Sequence, residues 1–211
     1  RVVEDLFHVA SLGFRGEALS SIGAVAQIEL ITKTPEALIG TRYISEGDGK
    51  KNCEEIGAPN GTTVMVRNLF YNTPVRRKFL KTATTEGSYI ADLMEHLALS
   101  HPSVSFKFMV NGTVKFHTSG NGDLKEVIYR IYGRETANEL IPLDSQVPGM
   151  KLSGYLGKPV MNRSNRSFET YFVNGRYIRS DLLAKALEEG YKEYLMQHKY
   201  PFVVLHFDID T

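Results

Sequence analysis

Only one of the 211 residues, Cys53, is a cysteine. That excludes a disulfide framework within the chain and suits a reducing compartment. A zinc centre is not expected either, because Cys53 sits in what reads as a polar loop with no histidine at ligand spacing. No stretch approaches the roughly 18 apolar residues that span a bilayer. The opening RVVEDLFHVASLG carries acids and lacks the apolar core of a signal peptide. Charge of one sign is not in excess: 25 basic residues face 24 acidic ones, a net charge of +1. Coating nucleic acid through bulk charge is thereby excluded, and any such contact must come from a local patch. The chain has no internal repeat and no low-complexity tract. Its six histidines (His8, His96, His101, His117, His198 and His206) are scattered. None pairs with a carboxylate or nucleophile at an interpretable spacing, and Ser20 and Ser21 do not sit in a GxSxG elbow.

What is present is a sequence with ample core material, 42% hydrophobic and 23% charged. One large or two small domains are expected. Segments 24–34, 40–50 and 61–70 carry the β-branched, alternating pattern of strands, the second running into a turn at Gly47-Asp48-Gly49. Pro74 opens a short helix over PVRRKFLK, and helical spacing of Ile90, Leu93, Met94, Leu97 and Ala98 predicts a helix within 84–102, with Pro102 just beyond its end. Alternation on both sides of Asn111-Gly112 predicts a hairpin over 103–119. SGNGD (119–123) is the best linker. A helix over 123–133 follows, with Asp123 as N-cap and Gly133 as stop. Strands are expected near 137–143, 151–158, 167–175 and 201–209, with a helix over 180–196 capped by Ser180 or Asp181. The pattern is two mixed α/β units, 1–120 and 121–211.

GFRGEALSSI (13–22) places glycines directly before a helix. Glycine lets backbone approach a ligand closely, and a helix N-terminus offers unpaired N–H groups and positive potential, which together seat a phosphate. The same spacing also fits an ordinary tight turn capped into a helix. Two segments are locally basic. VRNLFYNTPVRRKFLK (66–81) holds Arg67, Arg76, Arg77, Lys78 and Lys81 with Phe70 and Tyr71. This pattern can bind nucleic acid, but it reads better with Phe70 and Phe79 as core anchors beneath a solvated charged face. NRSNRSFETYFVNGRYIRS (162–180) sets Arg163, Arg166, Arg176 and Arg179 against the single acid Glu169.

GFRGEALSSI closely resembles the third conserved motif of the MutL family of mismatch-repair proteins. GTTVMVRNLFYNTPVRRKFL (61–80) resembles that family's next signature, and YFVNGRYIRS (171–180) resembles its second-domain signature. Order and spacing agree, so the resemblance covers essentially the whole chain. It implies a GHKL ATPase, a superfamily shared with type II topoisomerases, certain chaperones and histidine kinases. The implied fold is α+β: a partial GHKL (Bergerat-type) α/β sandwich over 1–120, then a ribosomal-protein-like α/β domain over 121–211. ATP and Mg2+ are the ligands implied for the intact protein. Gly13, Phe14, Arg15, Gly16, Glu17, Ala18 and Leu19 would hold the triphosphate under a flexible lid ending at SLGFRG. Thr62 would help fix the adenine through a water shared with an acidic residue, though it equally suits a β-former in an interior strand.

The resemblance also implies DNA contact by Arg163, Arg166, Arg176 and Arg179, because the family's second domain lines a positively charged groove between two protomers. The implied partners are DNA, a second copy of the protein, an upstream MutS-type sensor and a downstream nuclease or helicase. The implied location is the bacterial cytoplasm, at the nucleoid, with no membrane. The family's general-base Glu, its Mg-binding Asn and a DxGxGI-type adenine segment precede the lid, and its γ-phosphate Lys follows the last strand here. None is among these residues. Both ends are expected to be cut, no catalytic residue is assigned, and the 211 residues alone are expected to bind ATP weakly or not at all and not to hydrolyse it. Two other readings stay open. A gyrase-like relative would end its lid in a GLHGVG-type string, where this chain has GFRGEAL. A non-enzymatic nucleic-acid-binding module would bind RNA or DNA in a salt-sensitive way and ignore nucleotide.

Overall fold

Three alternating stretches meet in one sheet. In the computed structural model, which describes residues 17–47, 49 and 51–210, they form β1 (Gln27–Lys33), β2 (Gly40–Glu46) and β4 (Gly61–Arg67). A fourth strand, β3 (Lys51–Ile56), completes an antiparallel sheet in the order β3-β2-β1-β4. Cys53 lies in β3 opposite Tyr43, not in a loop, and it is exposed. β3 carries no apolar alternation because five of its six residues are exposed. Backbone pairing with β2, which patterning does not register, holds it. Directly opposed residues share a face of an antiparallel sheet. One face therefore carries Ile28, Leu30 and Thr32 with their partners, and the short helix α1 (Ala18–Gly23) packs there, Gly23 against Ile28. The other face carries an ion-pair chain across four strands. Glu29 accepts from Arg42 at 2.8 Å and from Arg67 at 2.9 Å, and Arg42 also donates to Glu54 at 2.8 Å. Hydrogen bonds from Arg67 and then Arg42 hold the Glu29 carboxyl below its ordinary range.

Backbone contacts divide the chain into Arg1–Thr82 and Ala83–Thr211. In the second unit a five-stranded sheet runs β10-β9-β11-β8-β7. Its strands are β7 (Leu140–Val147), β8 (Met150–Gly157), β9 (Glu169–Val173), β10 (Arg176–Ile178) and β11 (Val203–Ile209). The central β11 pairs parallel with β9 and antiparallel with β8. It buries Val203, Val204 and Leu205 in succession, as a strand covered on both faces must. On one face, Phe172, Phe202 and Val204 form a core with Val127 and Ile128 of α4 (Leu124–Asn138), Ala98 and Leu99 of α3 (Ala83–Ser100), and Phe116 of β6 (Thr113–His117). On the other, Tyr171, Val203 and Leu205 pack with Leu183 and Leu187 of α5 (Asp181–Tyr191).

The division at 82/83 differs from the expected 120/121, and the core explains why. α3 and the hairpin of β5 (Lys107–Val110) and β6 put Ala98, Leu99 and Phe116 into the same cluster as α4 and the sheet. SGNGD is a packed loop inside this unit. A Cβ on Gly120 would fall 2.6 Å from Ser105 N, Gly122 N donates to Pro102 O at 3.1 Å, and Thr118 just before the loop is fully buried. The hairpin turns at Asn111-Gly112 as predicted, both with positive φ. Asp123 caps α4 by accepting from Lys125 N at 2.8 Å. Gly133 does not stop that helix; it kinks it at φ 87, and helix resumes to Asn138. α5 is capped by Ser180 and ends at Tyr191 rather than 196, and the helix opened by Pro74, α2, is a single turn, Pro74–Arg77. Phe79 therefore lies beyond α2 and is 78% exposed, so it is not a core anchor. Among the described residues no helix is long and apolar enough to cross a membrane.

Candidate nucleotide site and basic surface

Gly13, Phe14, Arg15 and Gly16 lie outside the described residues. The rest of the expected phosphate seat is the head of α1. Glu17 stands at the N-cap without a side-chain cap; its carbonyl accepts from Ser20 Oγ at 2.9 Å, Ser21 Oγ at 2.8 Å and Ser21 N at 2.9 Å. The serine hydroxyls are thus spent on that carbonyl. Ala18 and Leu19 are exposed, and no described residue accepts from their N–H groups. First-turn amides without an internal partner are the donors an anion can use. A 290 Å³ cavity opens beside this helix, lined by Leu19 and Ser20 on one side and Ile28, Leu30, Tyr43 and Ser45 on the other. Lys51 also lines it.

Thr62 sits in β4 opposite Thr32, their hydroxyl oxygens 2.8 Å apart. Thr32 is in register with Ile28 and Leu30, so Thr62 lies on the same sheet face as α1 and the cavity. The described end of the first motif, 17–22, and Thr62 of the second are thereby brought to one face of one sheet. The second motif also fastens the first. After β4 the backbone turns through Asn68 (φ 54) and Phe70 (φ 62). Phe70 N then donates to Val25 O at 2.7 Å, Asn72 Nδ2 to Ala24 O at 2.9 Å and Asn68 Nδ2 to Gln27 Oε1 at 2.6 Å. These three residues pin the exit of α1. Asparagine tolerates left-handed backbone, so Asn68 was a readable turn signal; nothing in the sequence marks Phe70 as positive-φ. Within the same motif Arg67 is committed to Glu29. Among the described residues no group of three or more histidine, cysteine or acidic side chains could hold a metal ion.

The four arginines of the second unit are not equivalent. Arg163 stacks on Phe168, 4.7 Å from guanidinium carbon to ring centroid, and its Nε is buried without an acceptor. Arg166 is clamped to Glu188 of α5 by two hydrogen bonds, the longer at 3.0 Å, which raises its pKa further. Glu188, 22 residues away, had no local signal. Arg179 donates to the Tyr177 hydroxyl at 3.5 Å. Arg176, on the edge strand β10, is exposed and makes no ion pair among the described residues.

The family described as "DNA mismatch repair protein, C-terminal domain" matches residues 128–211. Over 98% of its length the chain is 59% identical to the DNA mismatch repair protein MutL of Agathobacter rectalis, of which it covers 32%. It spans about a third of the length of the curated relatives it matches. The solved "Aquifex aeolicus MutL ATPase domain complexed with ADP" superposes with a TM-score of 0.73 at 26% identity, covering 100% of this chain and 76% of that one. The DNA gyrase B subunit of Myxococcus xanthus shares the fold, with a TM-score of 0.54 at 13% identity over 99% of this chain and 68% of that one. The α+β architecture is thus of the kind common to MutL ATPase domains and gyrase-type subunits, and relatives of this identity over nearly all of the sequence decide between them. The chain belongs to the MutL family of DNA mismatch repair proteins.

Proposed function

We propose that this sequence is the nucleotide-operated region of a mismatch-repair ATPase, in which ATP binding in the first unit is passed to DNA-contacting surface in the second. The amides from Arg15 to Leu19 hold the triphosphate and Thr62 helps fix the base. The observation that carries the reading is the placement of the α1 head and Thr62 on one sheet face, with a cavity opening beside Leu19 and Ser20, and a helix first turn is where an anion finds donors. A similar ATPase domain was solved with ADP. ATP with Mg2+ is the nucleotide this reading implies. The chain's own contribution is the backbone seat and Thr62; the general base, the metal and the γ-phosphate lysine are assigned to none of its residues.

The same reading makes DNA the macromolecular ligand, with Arg176 the most available guanidinium and Arg179 beside it. Arg163 and Arg166 serve chiefly to build that surface, because Arg163 is stacked on Phe168 and Arg166 is engaged by Glu188. It also assigns a homodimer closed by nucleotide, a mismatch sensor upstream, a nuclease or helicase downstream, and a cytoplasmic, nucleoid-associated place of action. The test uses a protein of the relatives' full length. Thr62→Val removes the hydroxyl and keeps the strand, and it is expected to weaken ATP binding about tenfold, one lost hydrogen bond's worth. Unchanged affinity would remove Thr62 from the site.

A further inference from the structure

The second unit contains a cleft that the nucleotide reading does not use. It lies among α3, α4, the segment entering β9, β10 and the head of α5, with a volume of 440 Å³, a size typical of small-molecule sites. Its wall combines carboxylates with aromatic faces. Asp92, Glu95, Glu169 and Asp181 outnumber Arg166 and Arg179 two to one. Arg166 is held by Glu188 and stands 4.0 Å from Asp181, while Arg179 donates only to the neutral Tyr177 hydroxyl at 3.5 Å and keeps its charge. His96 is stacked on Tyr177 at 3.8 Å, and burial disfavours its charged form. The cleft therefore holds more carboxylates than guanidiniums. Tyr132, Tyr171 and the face of Tyr177 away from His96 add rings whose negative faces attract cations, whereas Phe168 already carries Arg163.

Glu169 decides the chemistry. It is only 6% exposed, yet it lines the cleft. Its Oε2 accepts from the Tyr171 hydroxyl at 3.1 Å, while Oε1 is buried with no donor in reach among the described residues, and the Glu188 carboxyl and Arg166 guanidinium stand close by. A buried carboxylate with one oxygen unmet is costly unless a proton or a cation reaches it. Burial pushes its pKa up to about 7, with Glu188 adding to the rise against the Tyr171 hydrogen bond. Burial and then Asp92 push the Glu95 carboxyl up as well. An anion would meet four acids here, whereas a cation would relieve them.

We propose that this cleft binds a small organic cation, a guanidinium or ammonium on an unbranched alkyl stem, with Glu169 at its floor and the rings of Tyr132 and Tyr177 along the stem. The site is separate from the nucleotide reading and stands or falls without it. The experiment is an NMR titration of the 211-residue chain carrying 13C-labelled glutamate, with butylguanidinium, butylamine and the neutral isostere butylurea as probes. The expected result is a saturable shift of the Glu169 carboxyl with either cation, at a dissociation constant on the order of 1 mM for so small a ligand, and none with the urea. Bound cation also lowers the Glu169 pKa. Glu169→Gln weakens the cation response at least tenfold while the signals of glutamates remote from the cleft keep their places. Glu95→Gln, at the less buried wall, weakens it less. A cation series that leaves Glu169 unmoved at about ten times that concentration overturns the proposal. A urea response equal to the guanidinium response, or full binding by Glu169→Gln, overturns it equally.

Discussion

Cutting the chain at the two candidate boundaries separates a compositional linker from a physical one. A fragment beginning at residue 83 keeps the whole second core. A fragment beginning at 121 loses Ala98, Leu99 and Phe116, three of the ten buried residues in the main cluster, and strips the faces of Val127, Ile128 and Phe172 that pack with them. Burying one Leu or Phe is worth about 1.5–3 kcal/mol. Leu99 and Phe116 together therefore contribute roughly 3–6 kcal/mol, and the surface uncovered on their partners roughly as much again. That loss matches the whole stability of a small domain, about 5–15 kcal/mol. Near-UV circular dichroism and urea unfolding of both fragments measure the difference. Residues 83–211 are expected to unfold in one cooperative transition, and residues 121–211 to show no tertiary signal and no cooperative melt. A 121–211 fragment with the same midpoint and slope as 83–211 would refute the core as described.

Gly154 faces β11 so closely that a Cβ would lie 2.1 Å from Val204 O at φ 133. Gly154→Ala is expected to cost at least about 3 kcal/mol, against about 1–2 for Gly122→Ala, which meets nothing within 4 Å and strains only a positive φ; thermal melts compare the two. Because the folded pKa of Glu169 is raised to about 7, its contribution to stability is full below the ordinary glutamate range and fades as pH climbs through about 7. Glu169→Gln should therefore gain on the parent between pH 5 and pH 8 in urea titrations; an identical pH dependence would show that this carboxyl is not shifted. In a protein of the relatives' length, Arg176→Ala should reduce the salt slope of DNA binding by about one phosphate's worth. Arg166→Ala, which frees Glu188, should act mainly on stability. The opposite ranking in filter-binding and melting assays would exchange their roles.

The elements that could be read from sequence are those whose determinants are local. Asn111-Gly112 fixed the hairpin by turn chemistry, and Asp123 announced α4 through its cap. Ile90, Leu93, Leu97 and Ala98 marked α3 by spacing, although Ile90 and Leu93 proved more than half exposed. The elements that escaped are fixed from a distance. β3 is held by pairing with β2 and has no buried face to leave a pattern. β10, three residues long, follows from the Asn174-Gly175 turn and its partner β9. The loop 119–123 looks like a linker by composition, yet Gly120 is required because it presses on the backbone of Ser105. At the candidate site, the α1 head and Thr62 were each legible, but their common face is a matter of register through β1. The four arginines looked alike in sequence; Glu188 and Phe168 make them different.

The claim on which the functional account rests is that the amides at the head of α1 take the nucleotide's phosphates. Hydrogen–deuterium exchange of a protein of the relatives' length, with and without ATP and Mg2+, reads those amides directly. The account predicts slowed exchange in the peptide spanning 13–23 when nucleotide is present, with a smaller effect in the peptide holding Thr62. Nucleotide binding that leaves exchange across 13–23 unchanged would contradict it.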